Sequence, residues 1–169
     1  MKNQSITEAM LQFIEESPTA FHAAANVEAL LLENGFEKLE NLAEGALVPG
    51  GSYYTMQNGS AVLAVKIPEN PAKGFRIAAS HSDSPCFKIK EVPEMKVENT
   101  YVKLNVEKYG GMILSPWLDR PLSVAGRVFV AGKDGKPEVK LVNLKKDLLI
   151  IPNVAIHFNR EINNGFAYN

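Results

Sequence analysis

Residues 53–65 read Tyr-Tyr-Thr-Met-Gln-Asn-Gly-Ser-Ala-Val-Leu-Ala-Val. Two runs rich in aromatic, β-branched and other apolar residues flank the dipeptide Asn58-Gly59, a typical centre of a two-residue hairpin turn. The sequence therefore predicts an antiparallel pair of strands at this point. The hairpin belongs to a mixed α/β fold, because helical patterns precede it and further strand patterns follow it.

Two amphipathic helices are predicted before the hairpin. The first follows Ser5, whose hydroxyl can cap the helix, and it ends at Ser17-Pro18. The second runs from about residue 19 to residue 34, and Gly35 stands where a helix usually ends. The apolar residues at helical spacing in these two segments are Ile6, Met10, Phe13, Ile14, Ala23, Val27, Leu30 and Leu31.

A short apolar run after the hairpin leads into a polar cluster. Residues 75–79, Phe-Arg-Ile-Ala-Ala, are bounded by turn residues and are interpreted as a buried strand. The cluster Ser80-His81-Ser82-Asp83 would then lie at the carboxyl end of a central strand, where open α/β sheets bind ligands. This cluster is therefore the first candidate for a functional site.

From about residue 92 the pattern changes to strands without helices. Turns are predicted at Gly110-Gly111 and Asp134-Gly135. The strand-like runs cover residues 101–107, 122–131, 139–143 and 148–151. Together they predict a small β-barrel or β-sandwich.

Composition narrows the classes of protein. Apolar residues make up 46% of the chain and charged residues 22%, which is typical of a globular protein. The net charge of −1 gives no field for holding nucleic acid. No apolar run approaches the length of a membrane span, and the single cysteine, Cys86, rules out an internal disulfide. A cytoplasmic protein with no nucleic-acid or membrane partner is expected.

His81 and Asp83 are the sharpest candidates for chemistry. A neutral imidazole is a good zinc ligand, and a carboxylate two residues away can accept the hydrogen of the other ring nitrogen. That hydrogen bond would fix the tautomer of His81 and make it a more basic ligand. A loop histidine that merely hydrogen-bonds a neighbouring carboxylate has the same pattern, and the residues alone leave both interpretations open.

Several motifs, in order along essentially the whole chain, closely resemble the aspartyl-aminopeptidase family. They are residues 17–22 (Ser-Pro-Thr-Ala-Phe-His), 49–54 (Pro-Gly-Gly-Ser-Tyr-Tyr), 79–90, 109–111, 117–128 and 151–160. The resemblance implies that residues 1–91 are the incomplete N-terminal part of a zinc-peptidase α/β domain. It implies that residues 92–169 are a β-rich, barrel-like dimerisation domain, truncated on its C-terminal side.

The resemblance also implies roles for three residues. His81 matches the family's first zinc ligand, and Asp83 matches the catalytic acid that orients it. His157 matches a histidine of the dimerisation domain that reaches into the neighbouring subunit's site, binds substrate and steadies the oxyanion. The implied activity is removal of N-terminal Asp or Glu from peptides by two-metal hydrolysis, with zinc as the cofactor and Mn or Co as possible replacements.

The position of His157 can also be considered from its neighbours. If residues 156–158 are extended, its side chain points away from those of Ile156 and Phe158 and is exposed.

The remaining metal ligands and the general base of the family are expected beyond Asn169, so this chain alone is predicted to be inactive. The resemblance also implies a homo-oligomer built from dimers, with a dodecamer as the form of the full-length family members.

Other candidates are interpreted as structural. Asp119 lies in a stretch that superficially resembles a metal-binding motif of related peptidases. Asp119 and Arg120 are nevertheless expected to pair structurally. His22 is interpreted as a packing or capping residue, and Cys86 as a small buried apolar side chain. Core or interface packing is the interpretation for Tyr101, Tyr109 and Trp117.

Two functions of other classes remain open. The chain could be a non-catalytic assembly or regulatory module that associates with full-length relatives through its β-rich region and supplies His157. It could also be a peptide-binding or amino-acid-binding protein without chemistry. An open reading frame beyond Asn169 that carries Asp, Glu-Glu, Asp and His in the family order would favour the enzyme.

Overall fold

The computed structural model describes residues 5–40, 47–70 and 74–165. The chain divides into two compact units, each built from two separate stretches of sequence. Unit 1 combines Met1–Asp83 with Ala125–Asn143, and unit 2 combines Ser84–Val124 with Leu144–Asn169. Both helices lie in unit 1, whereas strands occur in both units, so the predicted α/β class is confirmed.

The elements follow one another in a simple order. The helices are α1 (Ile6–Glu16) and α2 (Ala20–Glu33), and a single 3₁₀ turn covers Ser115–Trp117. The strands are β1 (Glu37–Lys38), β2 (Ser52–Gln57), β3 (Ala61–Lys66), β4 (Cys86–Val97), β5 (Tyr101–Tyr109), β6 (Ala125–Ala131) and β7 (Pro137–Asn143). No helix among the described residues is long and apolar enough to cross a membrane.

Ser5 and Gly35 act at the helix ends as the sequence indicated, and Thr19 adds a cap that the sequence analysis did not predict. The Ser5 hydroxyl accepts from the Glu8 backbone N–H at 3.2 Å, and the Glu8 carboxylate accepts from the Ser5 N–H at 2.9 Å, so α1 begins with a reciprocal capping box. Thr19 caps α2 through the backbone N–H of His22. Gly35 follows α2 with φ of +76°, which a residue without Cβ adopts at little cost.

The predicted hairpin is confirmed as β2 and β3. These strands pair antiparallel from Ser52 opposite Lys66 to Gln57 opposite Ala61, and β1 adds a short parallel edge to β2. Positive φ angles at Asn58 and Gly59 close the turn.

The core of unit 1 joins α2 to this sheet. Among the described residues the buried hydrophobic side chains are Ala23, Ala24, Tyr53 and Tyr54. The Tyr54 hydroxyl donates to the Glu28 carboxylate at 3.0 Å, and the Lys38 ammonium lies 2.8 Å from the same oxygen. Three elements, α2, β1 and β2, are therefore linked through one carboxylate.

This linkage predicts a loss of stability in acid. The Lys38 ammonium, with a smaller contribution from Tyr54, lowers the pKa of Glu28 below its ordinary value of 4.5 against the opposing effect of burial. A carboxyl group whose pKa is lower in the folded state binds protons more weakly there than in the unfolded chain. Its stabilising contribution is therefore present above about pH 4.5 and is lost as the pH falls through the lower, folded-state pKa.

We expect Glu28→Gln to weaken this part of the acid sensitivity, measured as urea unfolding of the 169-residue chain between pH 7 and pH 3. The matched control is Glu33→Gln, an exposed carboxylate on the same helix. An unchanged difference in unfolding free energy between the two pH values in Glu28→Gln would contradict the prediction.

The β6–β7 hairpin is the second stretch of unit 1. Its strands pair antiparallel from Ala125 opposite Asn143 to Ala131 opposite Pro137. The Arg127 guanidinium lies 4.2 Å from the centroid of the Phe21 ring and donates to the Asn58 carbonyl at 2.8 Å. One side chain of β6 thus contacts α2 and the turn between β2 and β3.

Unit 2 contains the longest hairpin. β4 and β5 pair antiparallel through a turn at Glu98 and Asn99, both with positive φ, and the register shifts between Ile89 and Glu94. The rings of Phe87 and Trp117 meet edge to face at 5.2 Å, which agrees with a packing role for the tryptophan.

Two sequence-based predictions of strands are wrong. Residues 75–79 are not a buried strand, because Phe75 is 92% exposed and Ile77 is 85% exposed. A strand needs a partner for its backbone groups, and no described strand pairs with this segment. Residues 148–151 form only single bridges, Leu122 with Leu149 and Leu118 with Ile151.

The predicted β-barrel is also not seen in the described part of the chain. The strands after residue 85 pair two by two, β4 with β5 and β6 with β7, and no ladder joins the two pairs. β4 runs through position 91, where the sequence suggested a change of domain. The division into residues 1–91 and 92–169 stays a prediction.

Candidate functional site

His81 lies in an irregular segment of unit 1 and contacts Asp83 through one ring nitrogen. Its Nδ1 atom is 2.8 Å from the Asp83 carbonyl oxygen and 3.1 Å from the carboxylate oxygen Oδ1. Both oxygens can only accept a hydrogen bond, so Nδ1 carries the hydrogen. In the neutral ring this leaves the lone pair on Nε2, and the side chain is 81% exposed.

This arrangement suits a single metal-coordinating nitrogen. An imidazole that donates Nδ1–H to a carboxylate presents a fixed and more basic Nε2 to a metal ion. A zinc site needs at least three protein ligands, and within residues 5–40, 47–70 and 74–165 no three His, Cys, Asp or Glu side chains come together. His81 therefore fits one ligand of such a site, and its role as a ligand stays a prediction.

Ser82 makes a contact that the sequence did not predict. Its hydroxyl donates to the Ser60 carbonyl at 2.8 Å, which ties the segment around His81 to the end of the β2–β3 turn. Asn58, in the same turn, accepts from Arg127. The only signal in the sequence was a hydroxyl between two candidate residues, and nothing in the sequence indicates a partner 22 residues earlier.

Loss of this anchor should weaken metal binding. We expect Ser82→Ala, made in the complete protein, to raise the zinc dissociation constant by up to about 10-fold, because His81 must then be ordered when the metal binds. Competition with a chromophoric chelator measures the constant. Ser84→Ala makes the same change two residues along the chain and is the control, and equal constants in both variants would contradict the prediction.

His157 lies in unit 2 within a turn. The Phe158 N–H donates to the Ala155 carbonyl at 2.8 Å, and the Asn159 N–H donates to the Ile156 carbonyl at 3.2 Å. The extended conformation considered for residues 156–158 is therefore wrong, although His157 is exposed as expected. Its apolar neighbours are exposed as well, Ile156 by 49% and Phe158 by 84%.

Comparison with known families identifies the chain. The family described as "Aminopeptidase I zinc metalloprotease (M18)" matches residues 13–169. The chain belongs to the M18 family. This result confirms the resemblance that the sequence motifs indicated, which extends from the first helix to the segment containing His157.

Individual relatives and solved structures agree with this assignment. The chain is 47% identical over its full length to a probable M18 family aminopeptidase 2 of Clostridium acetobutylicum, of which it covers 40%. A solved structure described as the Ape4 and Nbr1 complex is 36% identical, with a TM-score of 0.87 over 95% of this chain and 31% of that one. The S. cerevisiae mApe1 dodecamer is 28% identical, with a TM-score of 0.81 over 90% of this chain and 36% of its own.

The lengths of these proteins differ greatly. The chain spans about 40% of the length of the curated M18 relatives that it matches. It corresponds to their N-terminal part, as the sequence motifs indicated.

Two further residues have local structural roles in this M18 chain. The His22 Nδ1 atom lies 2.8 Å from the Thr19 hydroxyl at the start of α2, and burial lowers the pKa of His22. Cys86 is half-buried at the start of β4, opposite Tyr109. The interpretation of His22 as a capping or packing residue is in accord with these contacts.

The structure also bears on the predicted turn at Gly110 and on the packing roles expected of Tyr101 and Tyr109. Gly110 has φ of +78° and directly follows β5, in agreement with the turn predicted at Gly110-Gly111. Tyr101 is 68% exposed, so it is not a core residue of the described structure. The Lys88 ammonium lies 5.3 Å from the centroid of the Tyr109 ring.

Asp119 is structural, but its partner is not Arg120. The Asp119 carboxylate accepts two hydrogen bonds from Asn153, one from its backbone and one from its side chain, and these lower the pKa of Asp119. Arg120 donates instead to the Pro116 carbonyl at 3.5 Å. The expected pairing of Asp119 with Arg120 is therefore wrong, because the Asp119 carboxylate bonds Asn153 whereas the Arg120 guanidinium bonds the Pro116 carbonyl.

Proposed function

We propose that the protein containing this chain is a zinc-dependent aminopeptidase that removes N-terminal Asp or Glu from peptides. The observation that carries the proposal is the contact of His81 Nδ1 with Asp83, which leaves Nε2 available in a chain of the M18 family. Relatives that match the chain are named as probable aminopeptidases.

His81 and Asp83 have separate tasks in this proposal. His81 contributes one nitrogen ligand, and Asp83 accepts the Nδ1 hydrogen, which holds the ring in one tautomer and raises the basicity of Nε2. Metal ions bound there would supply Lewis acidity and an activated water, with two zinc ions as the expected set and Mn or Co as possible replacements. The other ligands and the general base would come from the parts of the longer relatives that this chain does not cover.

The two regions of the chain have different proposed roles. Residues 1–91 are proposed to begin the catalytic α/β domain, and residues 92–169 to form most of a barrel-like dimerisation domain. The exposed side chains of Phe75 and Ile77 support further packing in the complete protein, because neighbouring strands would remove this apolar surface from water.

His157 is proposed to act in a neighbouring subunit of a homo-oligomer. Its exposure is compatible with reaching a site outside its own unit. The yeast relative described above is named as a dodecamer, which supports a dimer-based assembly as the proposal for this protein. In that assembly the imidazole would bind substrate and stabilise the developing oxyanion.

The proposed specificity is tested with the complete protein. We expect release of N-terminal Asp and Glu from peptide substrates, loss of activity with a chelator and recovery with Zn²⁺ or Mn²⁺. Faster release of N-terminal Leu or Lys would refute the acidic specificity. Absence of both activity and bound zinc would favour the non-catalytic assembly module.

The 169-residue chain by itself is proposed to be inactive. It offers one candidate metal ligand among its described residues, and a hydrolytic site that lacks its other groups loses orders of magnitude in rate. Turnover of an N-terminal Asp substrate by this chain at the rate of the complete protein would refute the proposal.

A further inference from the structure

Asp119 fixes the start of the segment that leads to His157. Its backbone N–H donates to the Ile151 carbonyl at 2.9 Å. The carboxylate oxygen Oδ1 accepts from the Asn153 N–H at 2.8 Å, and Oδ2 accepts from the Asn153 side-chain amide at 2.7 Å. Three hydrogen bonds that involve Asp119, one donated and two accepted, therefore hold positions 151 and 153.

The distance along the chain from this anchor to His157 is short. The turn that contains His157 begins at Ala155, two residues after Asn153, and is closed by the hydrogen bonds at Phe158 and Asn159. A segment held at one end and closed by a turn at the other has few backbone torsions left to vary. The anchor and the turn therefore restrict where the backbone of His157 can lie.

The backbone of Asp119 adds a second, independent observation. Its φ of +55° lies in the left-handed region, which non-glycine residues seldom occupy. Asn58, Glu98, Asn99 and Lys145 share this property; the first three close the turns of the β2–β3 and β4–β5 hairpins, and Lys145 lies just after β7. Asp119 closes no hairpin, and such conformations persist where surrounding contacts hold them, often near functional residues.

We propose that Asp119 is the positioning residue for His157. Its carboxylate sets the path of residues 151–157, and it acts on the reaction only through where the imidazole lies. This inference rests on the proposed role of His157 in a neighbouring subunit's site. Asp119 lies in a stretch that resembles part of a metal-binding motif. The inference gives this residue a role that needs no metal.

The test exchanges the polarity of the Asp119–Asn153 pair in the complete protein. Asn153→Asp removes the donating amide and sets a second carboxylate against the Asp119 carboxylate, so the side-chain hydrogen bond is lost and the two like charges repel. The double variant Asp119→Asn/Asn153→Asp restores the pairing, because the amide introduced at 119 donates to the carboxylate introduced at 153. Asp134→Asn, which changes an exposed turn carboxylate bonded to Lys136 N–H, is the control.

Two measurements are made on each variant. Hydrogen–deuterium exchange followed by mass spectrometry reports the order of residues 151–160, and steady-state kinetics on a peptide with N-terminal Asp reports kcat and KM separately. We expect Asn153→Asp to exchange at least about 5-fold faster in this segment and to lose roughly 10- to 100-fold in kcat/KM, because a misplaced group loses its benefit steeply. The double variant should recover most of both, and the control should change neither.

Separate outcomes distinguish the two proposals. Unchanged exchange in Asn153→Asp would overturn the positioning role, as would a double variant that remains as impaired as the single one. His157→Gln is measured alongside. If His157→Gln keeps full kcat/KM while exchange in Asn153→Asp rises, the anchor stands as a structural feature and the catalytic role of His157 is refuted.

Discussion

Replacing His81 with alanine in the complete protein should abolish most of its peptidase activity. We expect kcat/KM on a peptide with N-terminal Asp to fall by about 10³-fold or more, since a two-metal site that loses one ligand holds its metal poorly and misplaces it. Bound zinc, measured by atomic emission after gel filtration, should fall together with the activity. Among the variants considered, His81→Ala has the largest expected effect on activity.

The contact with Asp83 explains why the loss should be specific to His81. Nδ1 is committed to the Asp83 oxygens, so only Nε2 can bind a metal, and the side chain is exposed enough for one to approach. His22→Ala is the matched control, because that imidazole lies against the Thr19 hydroxyl at the start of α2. It should lower thermal stability slightly and leave the zinc content unchanged.

A graded variant separates binding by His81 from its orientation by Asp83. Asp83→Asn keeps an acceptor oxygen but lacks the negative charge, so we expect it to lose about 10- to 100-fold in metal affinity or activity, less than His81→Ala. Normal zinc content in His81→Ala would show that other side chains complete the coordination sphere. That result would remove His81 from the proposed site.

Local signals in the sequence were sufficient for part of the fold. Ser5, Gly35 and Asn58-Gly59 act on residues within four positions of themselves, and the helices and the β2–β3 hairpin appeared where these residues indicated. Caps and tight turns depend on the backbone conformation of a few neighbours, so a single sequence contains the information needed to predict them.

Long-range partners could not be predicted in the same way. Residues 75–79 have the composition of a buried strand, but a strand exists only when another strand pairs with it, and none does so among the described residues. The contacts from Ser82 to Ser60 and from Asp119 to Asn153 span 22 and 34 residues. Neither partner is marked by its own sequence context.

In the candidate site, too, short-range contacts could be predicted from the sequence and long-range contacts could not. The contact between His81 and Asp83 spans two residues and was expected from their spacing. The conformation around His157 was not, because an alternating pattern of apolar and polar residues does not distinguish an extended segment from a turn. Sequence reasoning therefore offered His157 as a functional residue, which stays a prediction, and did not predict the hydrogen bonds between Asp119 and Asn153.

Tyr54 gives the largest expected effect on stability. It is only 2% exposed, and its hydroxyl donates to Glu28, which also pairs with Lys38. Tyr54→Ala would leave a cavity under α2 and remove the hydroxyl that helps to satisfy the Glu28 carboxylate. We expect the thermal midpoint of the 169-residue chain to fall by roughly 10 °C or more, followed by circular dichroism.

Two further variants separate packing from hydrogen bonding at this position. Tyr54→Phe keeps the ring and loses only the hydroxyl, so its midpoint should fall by about a third as much or less, roughly 3 °C. Tyr101→Ala removes the same side chain from a site that is 68% exposed and should change the midpoint little. If Tyr54→Phe were as destabilising as Tyr54→Ala, the link to Glu28 and Lys38, and not the buried ring, would be what holds α2 against the sheet.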